Sequence, residues 1–210
     1  MSPSDPAAWL PFIMNGEGTG RLFSNAMVDG PLPEHYEPVE SPVKNALHSN
    51  VSASPAAFLY DQAAGRPDRF GTAAEFPIIA TTYRLTEHEH YLTQQVPHLV
   101  QLQPEPFVEI PTGLAQEKGI KNGDMVNVKS KRGLMVVHAI VTNRVGQLDL
   151  AGTKVWQVGI PIHWGFVGVA ADAHPDRSMN WLANALTPFV GDANARTPEF
   201  KAFLVNIEKA

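Results

Sequence analysis

The segment that most constrains the fold runs over residues 107–141, because it alternates short strand patterns with turn signals and leaves no room for a long helix. Residues 107–110 (FVEI) predict a strand. Thr112 is placed to cap a short helix that runs through Lys118, and Gly119 is a helix stop signal. The segment therefore predicts a compact domain of short elements rather than a helical bundle.

A hairpin follows in the same segment. Residues 121–124 (KNGD) predict a turn, since Asn-Gly tolerates positive φ, and residues 125–130 predict a strand. Residues 131–133 connect it to a second strand over residues 134–141, which is apolar except at His138. This lack of polar alternation predicts cover on both faces, as in a closed barrel or sandwich. We interpret the basic residues of the hairpin as solvent-exposed scaffold charges: Lys129, Lys131 and Arg132.

Residues 76–90 pass from an apolar run into the densest polar cluster of the chain. Residues 78–80 predict a buried strand, and five polar side chains then recur with period two: Thr82, Arg84, Thr86, His88 and His90. If the strand continues, these side chains share one face. An arginine among hydroxyls and imidazoles forms a donor-rich surface suited to phosphate. A solvated edge strand is the alternative interpretation.

A later strand pattern, over residues 155–162, delivers His163 and Trp164 at its end, directly before Gly165. Polar and aromatic groups at strand ends often contact ligands, because rigid scaffold meets loop there. A tryptophan beside a glycine can offer a flat face to a heterocycle. A buried tryptophan with a locally satisfied indole N–H explains the pattern equally well. The chain closes with a predicted strand over residues 202–207.

Two further stretches have weaker patterns. Residues 169–178 predict an exposed loop, and residues 180–187 predict one or two helical turns that end at Pro188.

The N-terminal third of the sequence differs from the rest in its amino-acid pattern. Its prolines come in clusters, which predicts an extended arm over residues 1–70 in front of a β domain over residues 71–210. The arm contains spaced aromatic residues, which favour packing over disorder: Trp9, Phe12, Phe23, Tyr36, Phe58 and Tyr60. An extended segment of this kind can dock by wrapping a partner surface.

Composition excludes several classes of function. The 210 residues include no cysteine, so this sequence has no disulfide, thiolate zinc site or cysteine-ligated iron–sulfur cluster. The net charge of -5 gives no basic field for nucleic acid. No apolar run approaches the roughly 20 residues that span a bilayer, and no export signal is visible.

Several separated motifs, in order along the chain, together resemble one family. They are residues 33–38 (PEHYEP), 82–90 (TYRLTEHEH), 119–124 (GIKNGD), 130–133 (SKRG), 159–166 (GIPIHWGF), 184–188 (NALTP), 191–194 (GDAN) and 197–210 (TPEFKAFLVNIEKA). This set is similar to the C-terminal portion of the large subunit of respiratory formate dehydrogenases of the N/O type. That type belongs to the molybdopterin oxidoreductase superfamily.

The resemblance implies a mainly β fold with short helices, a double-psi β-barrel of the aspartate-decarboxylase-like type. It also implies a role in holding a bis-molybdopterin guanine dinucleotide cofactor with molybdenum or tungsten. By resemblance, the cofactor-binding residues are Arg84, Thr86, His88, His90, His163, Trp164, Asn184, Thr187, Phe200 and Lys201.

The family's metal ligand (selenocysteine or cysteine), its catalytic histidine and arginine, and its cluster cysteines have no counterpart in this sequence. The resemblance thus implies an oxidoreductase competent for two-electron formate oxidation only within a complex. We expect a split large subunit whose other part carries the cluster and the metal ligand, with a further iron–sulfur electron-transfer subunit. Such a complex is periplasmic if a signal-bearing partner exports it, and cytoplasmic otherwise.

Two other functions stay open at this point. The first is a small zinc enzyme that uses His88 and His90, whose spacing suits a strand, although Arg84 beside them disfavours a cation. Its third ligand would come from Glu87, His98 or His163. The second is a cofactor-free assembly module.

Overall fold

The computed structural model of the chain describes residues 26–32, 34–165 and 181–210. The strands in these ranges are β1 (Phe58–Leu59), β2 (Ile78–Tyr83), β3 (Phe107–Pro111), β4 (Met125–Lys129), β5 (Leu134–Thr142), β6 (Gln147–Leu150), β7 (Thr153–Pro161), β8 (Val190–Gly191) and β9 (Phe203–Lys209). The helices are α1 (Tyr60–Ala63), α2 (Pro97–Leu102) and α3 (Thr112–Lys118), with single 3₁₀ turns at Leu92–Gln95 and Ala183–Ala185.

Six of these strands close into a mixed barrel. The order is β2-β9-β4-β5-β3-β7, and a parallel pairing of β7 with β2 completes the circle. The β3–β5 pair is also parallel, while the other four neighbouring pairs are antiparallel. The predicted mainly β fold is confirmed, and this closed barrel is consistent with a double-psi topology.

Alternating residues of the strands fill the barrel interior. On β5, Met135, Val137 and Ala139 are buried, whereas His138 and Ile140, on either side of Ala139, are exposed. The prediction that both faces of this strand are covered was therefore wrong, because closing the barrel covers only its inner face. Burial of each large apolar side chain contributes about 1.5–3 kcal/mol to folding.

Strand β2 ends at Tyr83, so the strand does not continue through residue 90 and the five polar side chains do not share one strand face. Its parallel neighbour β7 ends opposite it, where Tyr83 pairs with Pro161. On the other side, the β9 pairing begins only at Phe203, opposite Ala80. Beyond Tyr83 no strand remains on either side to accept ladder hydrogen bonds, and residues 84–91 form a loop.

The predicted helix after β3 and the predicted hairpin are confirmed. Helix α3 ends at Gly119, which has the left-handed conformation (φ +66°) that a stop signal requires. Thr112 is the first residue of the helix rather than its cap, and its hydroxyl donates to Oδ1 of Asn143. Strands β4 and β5 pair antiparallel from Met125 to Lys129.

The described residues of the predicted arm contact the rest of the chain. Strand β1 pairs with β8, and the buried carboxylate of Glu40 forms a bidentate ion pair with Arg132 of the hairpin (2.5 and 2.9 Å). The interpretation of Arg132 as a solvent-exposed charge was therefore wrong. Its side chain is 2 % exposed, because a carboxylate 92 positions earlier in the chain compensates its charge.

Several predictions lie outside the described residues. They concern the arm aromatics Trp9, Phe12 and Phe23, the exposed loop over residues 169–178, and the start of the helical turns at residue 180. In the part of the chain that the structure covers, no helix is long and apolar enough to cross a bilayer.

Candidate anion-binding site at one end of the barrel

Most of the predicted site residues lie at one end of the barrel. Strands β2 and β7 both end there because they are parallel. The antiparallel strand β9 begins there, and β4 runs toward the same end into the hairpin turn over residues 130–133. Residues 84–91, 163–164 and 200–201 are consequently neighbours although they are distant in sequence.

His163 fixes the loop that follows β2. The side chain is 0 % exposed, and Nδ1 lies 2.7 Å from the carbonyl oxygen of His90. On the other side of the ring, the backbone N–H of Leu85 donates to Nε2 (2.8 Å). Both ring nitrogens are thus used by backbone groups of the same loop.

His88 is also buried, and its two ring nitrogens have partners within the chain. Nε2 donates to the carbonyl oxygen of Gln103 (2.9 Å), and Nδ1 lies 2.9 Å from the hydroxyl of Thr93. Trp164 packs edge-on against this ring, and its indole N–H donates to the carbonyl oxygen of Pro104 (3.1 Å). The indole is 3 % exposed, so of the two interpretations of this tryptophan, the buried one with a local partner agrees with the structure.

Arg84, Thr86 and His90 are exposed, in contrast to the buried residues His88, His163 and Trp164. Nε of Arg84 donates to Nε2 of His90 (3.1 Å), which orients the guanidinium beside the imidazole. Across the described ranges, the structure gives Arg84 no ion pair with a carboxylate. Its charge is therefore available to an anion.

Lys201 adds a second positive charge at the same place. Its ammonium donates to the carbonyl oxygen of Thr82, whose hydroxyl in turn donates to the carbonyl oxygen of Phe200 (2.9 Å). Burial and the nearby Arg84 lower the pKa of Lys201. The hydrogen bond of Lys201 holds its ammonium at Thr82, two residues before Arg84, so the two cations form a positively charged patch.

Asn184 and Thr187 belong to a separate segment at this end of the barrel. The Thr187 hydroxyl donates to the backbone carbonyl of Asn184 (3.1 Å) in a local turn, Thr187 is buried and Asn184 is exposed. The segment adjoins the hairpin, since Arg132 donates to the carbonyl oxygen of Leu186. No contact within the described chain joins Asn184 to Arg84.

The zinc alternative has little support in this geometry. No group of three histidine or acidic side chains among the described residues is arranged to hold a metal ion. His88 and His163 already use both ring nitrogens in hydrogen bonds, so neither has a free lone pair for a ligand bond.

A cavity of about 730 Å³ lies elsewhere, between the arm and the loop that follows β8. It is lined by five carboxylates: Asp29, Glu34, Glu37, Asp192 and Glu199. An acidic lining disfavours a pyrophosphate, so cavity size is a poorer guide to the phosphate site than the charge at the barrel end.

Sequence reasoning missed the supporting role of this buried layer. The interpretation of the period-two run treated Arg84, Thr86, His88 and His90 alike as ligand contacts, although both ring nitrogens of His88 are engaged within the chain. Two signals of this role were present in the sequence. Leu85 is an apolar residue inside the polar run, and His88 and His163, if buried near apolar strands, need hydrogen-bond partners within the chain.

Comparison with known proteins places the chain in a family. The model of the Molydopterin dinucleotide binding domain matches residues 78–204. The chain belongs to this family. The match covers β2 through the start of β9 and thus includes every predicted site residue.

Two curated relatives from Escherichia coli (strain K12) support the resemblance to formate dehydrogenases. The chain is 53 % identical to the major subunit of the nitrate-inducible formate dehydrogenase, over 100 % of this chain and 20 % of that protein. It is 51 % identical to the formate dehydrogenase-O major subunit, over 95 % of this chain and 19 % of that protein. The chain thus spans about a fifth of the length of these relatives.

Among solved structures, acetylene hydratase from Pelobacter acetylenicus is similar, with a TM-score of 0.57 and 16 % sequence identity. The similarity covers 86 % of this chain and 21 % of that one. At this identity the likeness concerns the fold.

Proposed function

We propose that this chain is the cofactor-holding part of a formate dehydrogenase large subunit, and that its barrel end binds the pyrophosphate of a molybdopterin guanine dinucleotide. The observation that carries the proposal is the convergence of Arg84 and Lys201, two cations without a carboxylate partner in the described chain. The family assignment and the identity to formate dehydrogenase subunits support it.

The residues present fit such a cofactor. A guanidinium can bind two phosphate oxygens at once, and the neighbouring ammonium and the Thr86 hydroxyl are further donors. Arg84, Thr86, His90 and Lys201 are exposed and are the direct contacts in this proposal. Phe200, Asn184 and Thr187 border the same end and complete the proposed pocket. When bound with molybdenum or tungsten, such a cofactor accepts the two electrons that formate loses.

Buried residues have a different role in this proposal. His88, His163 and Trp164 have their polar atoms engaged within the chain, so they support the loop instead of donating to the cofactor. The chain's contribution to the reaction is to bind and orient the cofactor, and its charges offset the negative charge of the phosphates.

The catalytic groups belong to another portion in this proposal. With no cysteine here, the metal ligand and the iron–sulfur cluster lie on a partner portion of the large subunit, which in a split arrangement is a separate polypeptide. A further iron–sulfur subunit would carry electrons onward. The proposed arm of residues 1–70 contributes to docking, and its described part also binds this chain's own barrel.

Cofactor retention in the complex with this partner tests the proposal. Pterin released on oxidation is measured by fluorescence after purification of the wild type, Arg84→Ala, Lys201→Ala and the control Lys154→Ala. The control removes one exposed positive charge where β7 begins, at the opposite end of the barrel. We expect less pterin from the first two variants and wild-type levels from the control. Equal retention in all four favours the cofactor-free assembly module.

A further inference from the structure

The hydrogen bonds of His163 specify a single tautomer. The carbonyl oxygen of His90 only accepts, so the proton of the neutral ring lies on Nδ1. The backbone N–H of Leu85 only donates, so Nε2 carries no proton. A doubly protonated ring would direct an N–H against the N–H of Leu85, and that hydrogen bond would be lost.

These two contacts hold the backbone next to two groups of the proposed anion site, Arg84 and His90. Leu85 follows Arg84 directly, and His90 receives the Nε–H of Arg84 on its own ring (3.1 Å). The backbone of His90 has a positive φ of +42°, which is unfavourable for a residue with a side chain and persists only where neighbouring contacts hold it. The bond from His163 to the His90 carbonyl is such a contact.

We propose that neutral His163 is a positioning residue for the anion site: it holds Leu85 and His90 in place so that Arg84 stands beside the His90 ring, and a second ring proton releases the loop. This inference rests on the proposed function, because it assigns the loop its role in binding an anion. It does not require His163 to contact the ligand.

The surroundings of His163 oppose a second proton. In the described chain, the charged and titratable groups that act on it are Arg84, His88 and His90, and all belong to the loop after β2. Burial and these neighbours lower its pKa from the ordinary 6.5, although the contact with the His90 carbonyl acts in the opposite direction. The contribution of His163 to stability is thus complete above about pH 6.5 and is lost as the pH falls below 6.5 through the lower folded pKa.

The test compares the full 210-residue chain with the variants His163→Gln and His163→Leu. In a glutamine side chain, the amide oxygen and nitrogen are separated by nearly the same distance as the two ring nitrogens. Glutamine can therefore make both hydrogen bonds, and it does not titrate. Leucine fills the space and makes neither bond.

Three measurements follow. The nitrogen NMR shifts of the His163 ring report its tautomer, and the exchange protection of the Leu85 amide, relative to an unstructured peptide, reports the bond to Nε2. The affinity for inorganic pyrophosphate at pH 7.5 reports the anion site. We expect a ring protonated on Nδ1 and a protected Leu85 amide, with protection that falls on acidification in the wild type but persists in His163→Gln. Pyrophosphate affinity should be retained in His163→Gln and fall about three- to tenfold in His163→Leu, the change expected if displacement of Arg84 costs the anion one hydrogen bond.

A ring protonated on Nε2, or a His163→Leu variant with unchanged Leu85 protection and pyrophosphate affinity, would overturn the inference. Loss of affinity in His163→Gln equal to that in His163→Leu would overturn it as well. If His163→Leu does not fold, the tautomer and the pH response of the other two proteins still decide the question. Absence of pyrophosphate binding to a wild type with the expected tautomer and protection would instead refute the proposed function.

Discussion

Replacement of Glu40 by alanine should destabilise the whole domain, because this carboxylate joins four separate parts of the chain. It accepts hydrogen bonds from both terminal nitrogens of Arg132, from the backbone N–H of Gly71 and from the backbone N–H of Leu204. The side chains of Glu40 and Arg132 are 0 % and 2 % exposed.

The magnitude follows from what the substitution leaves behind. Removal of one partner of a buried ion pair costs about 3–5 kcal/mol, since the other charge stays buried without compensation. Arg132 would retain the carbonyl oxygens of Leu186 and Arg69, which places the loss toward the lower end of that range. The backbone N–H groups of Gly71 and Leu204 would also lose their acceptor, which increases the expected loss of stability.

Urea unfolding at pH 7 measures the effect. The control is Glu75→Ala, which breaks the ion pair of Glu75 with Lys131, the neighbour of Arg132 in the same hairpin (2.9 Å). That pair is solvent-exposed, with side chains 44 % and 47 % accessible, so its loss should barely shift the urea midpoint. A Glu40→Ala midpoint no lower than that of the control would refute the claim that this pair clamps the arm to the barrel.

Three other predictions concern the site, the barrel wall and a buried acid. Arg84→Ala should weaken pyrophosphate binding by about 1.5–3 kcal/mol, the range for a lost charge-assisted hydrogen bond, and unchanged affinity by calorimetry would contradict this. Gly159→Ala should cost about 1–3 kcal/mol in urea unfolding, because a Cβ there would lie 2.9 Å from the Tyr83 ring, whereas a Cβ at Gly146 meets nothing within 4 Å and Gly146→Ala serves as the control. Burial, and the repulsion by a nearby carboxylate, raise the pKa of Glu199 above its ordinary 4.5, so its ionisation destabilises the fold as the pH rises through that raised pKa. Glu199→Gln should therefore have a higher urea midpoint than the wild type at pH 7 and the same midpoint below pH 4.5. A lower midpoint at pH 7 would mean that the ionised Glu199 carboxylate stabilises the fold, which would contradict this prediction.

The local elements of the barrel were predictable from the sequence. Turn signals and apolar runs located β3, α3 and the β4–β5 hairpin, because these contacts are close in sequence and depend on propensity and turn chemistry. Strand β7, predicted over residues 155–162 and observed as Thr153–Pro161, was found for the same reason. Strand β6 and the short β1–β8 pair were missed, since two to four residues without strong alternation give no periodic signal.

Long-range pairing was not predictable. The continuation of β2 failed because strand length depends on where β7 and β9 lie, and period two also occurs in a loop. Arg132 was misassigned because its partner Glu40 is remote in sequence and a lone arginine in a hairpin usually faces solvent.

The sequence indicated which residue types form the candidate site, but not which of them are exposed donors and which support the loop. Arg84 was identified through its charge and the family resemblance, and Lys201 through the resemblance alone. The burial of His88, His163 and Trp164 followed from backbone carbonyl and N–H groups of distant loops, which a sequence does not reveal. Their placement in the same list as the exposed donors was the main limit of the sequence prediction.

Amide-resolved NMR of the chain titrated with inorganic pyrophosphate tests most directly whether the barrel end is the phosphate site. We predict shift changes in residues 84–90 and at Lys201, with none in the acidic cavity between the arm and the loop after β8. Changes confined to that cavity, or no saturable change at all, would contradict the role proposed for this end of the barrel.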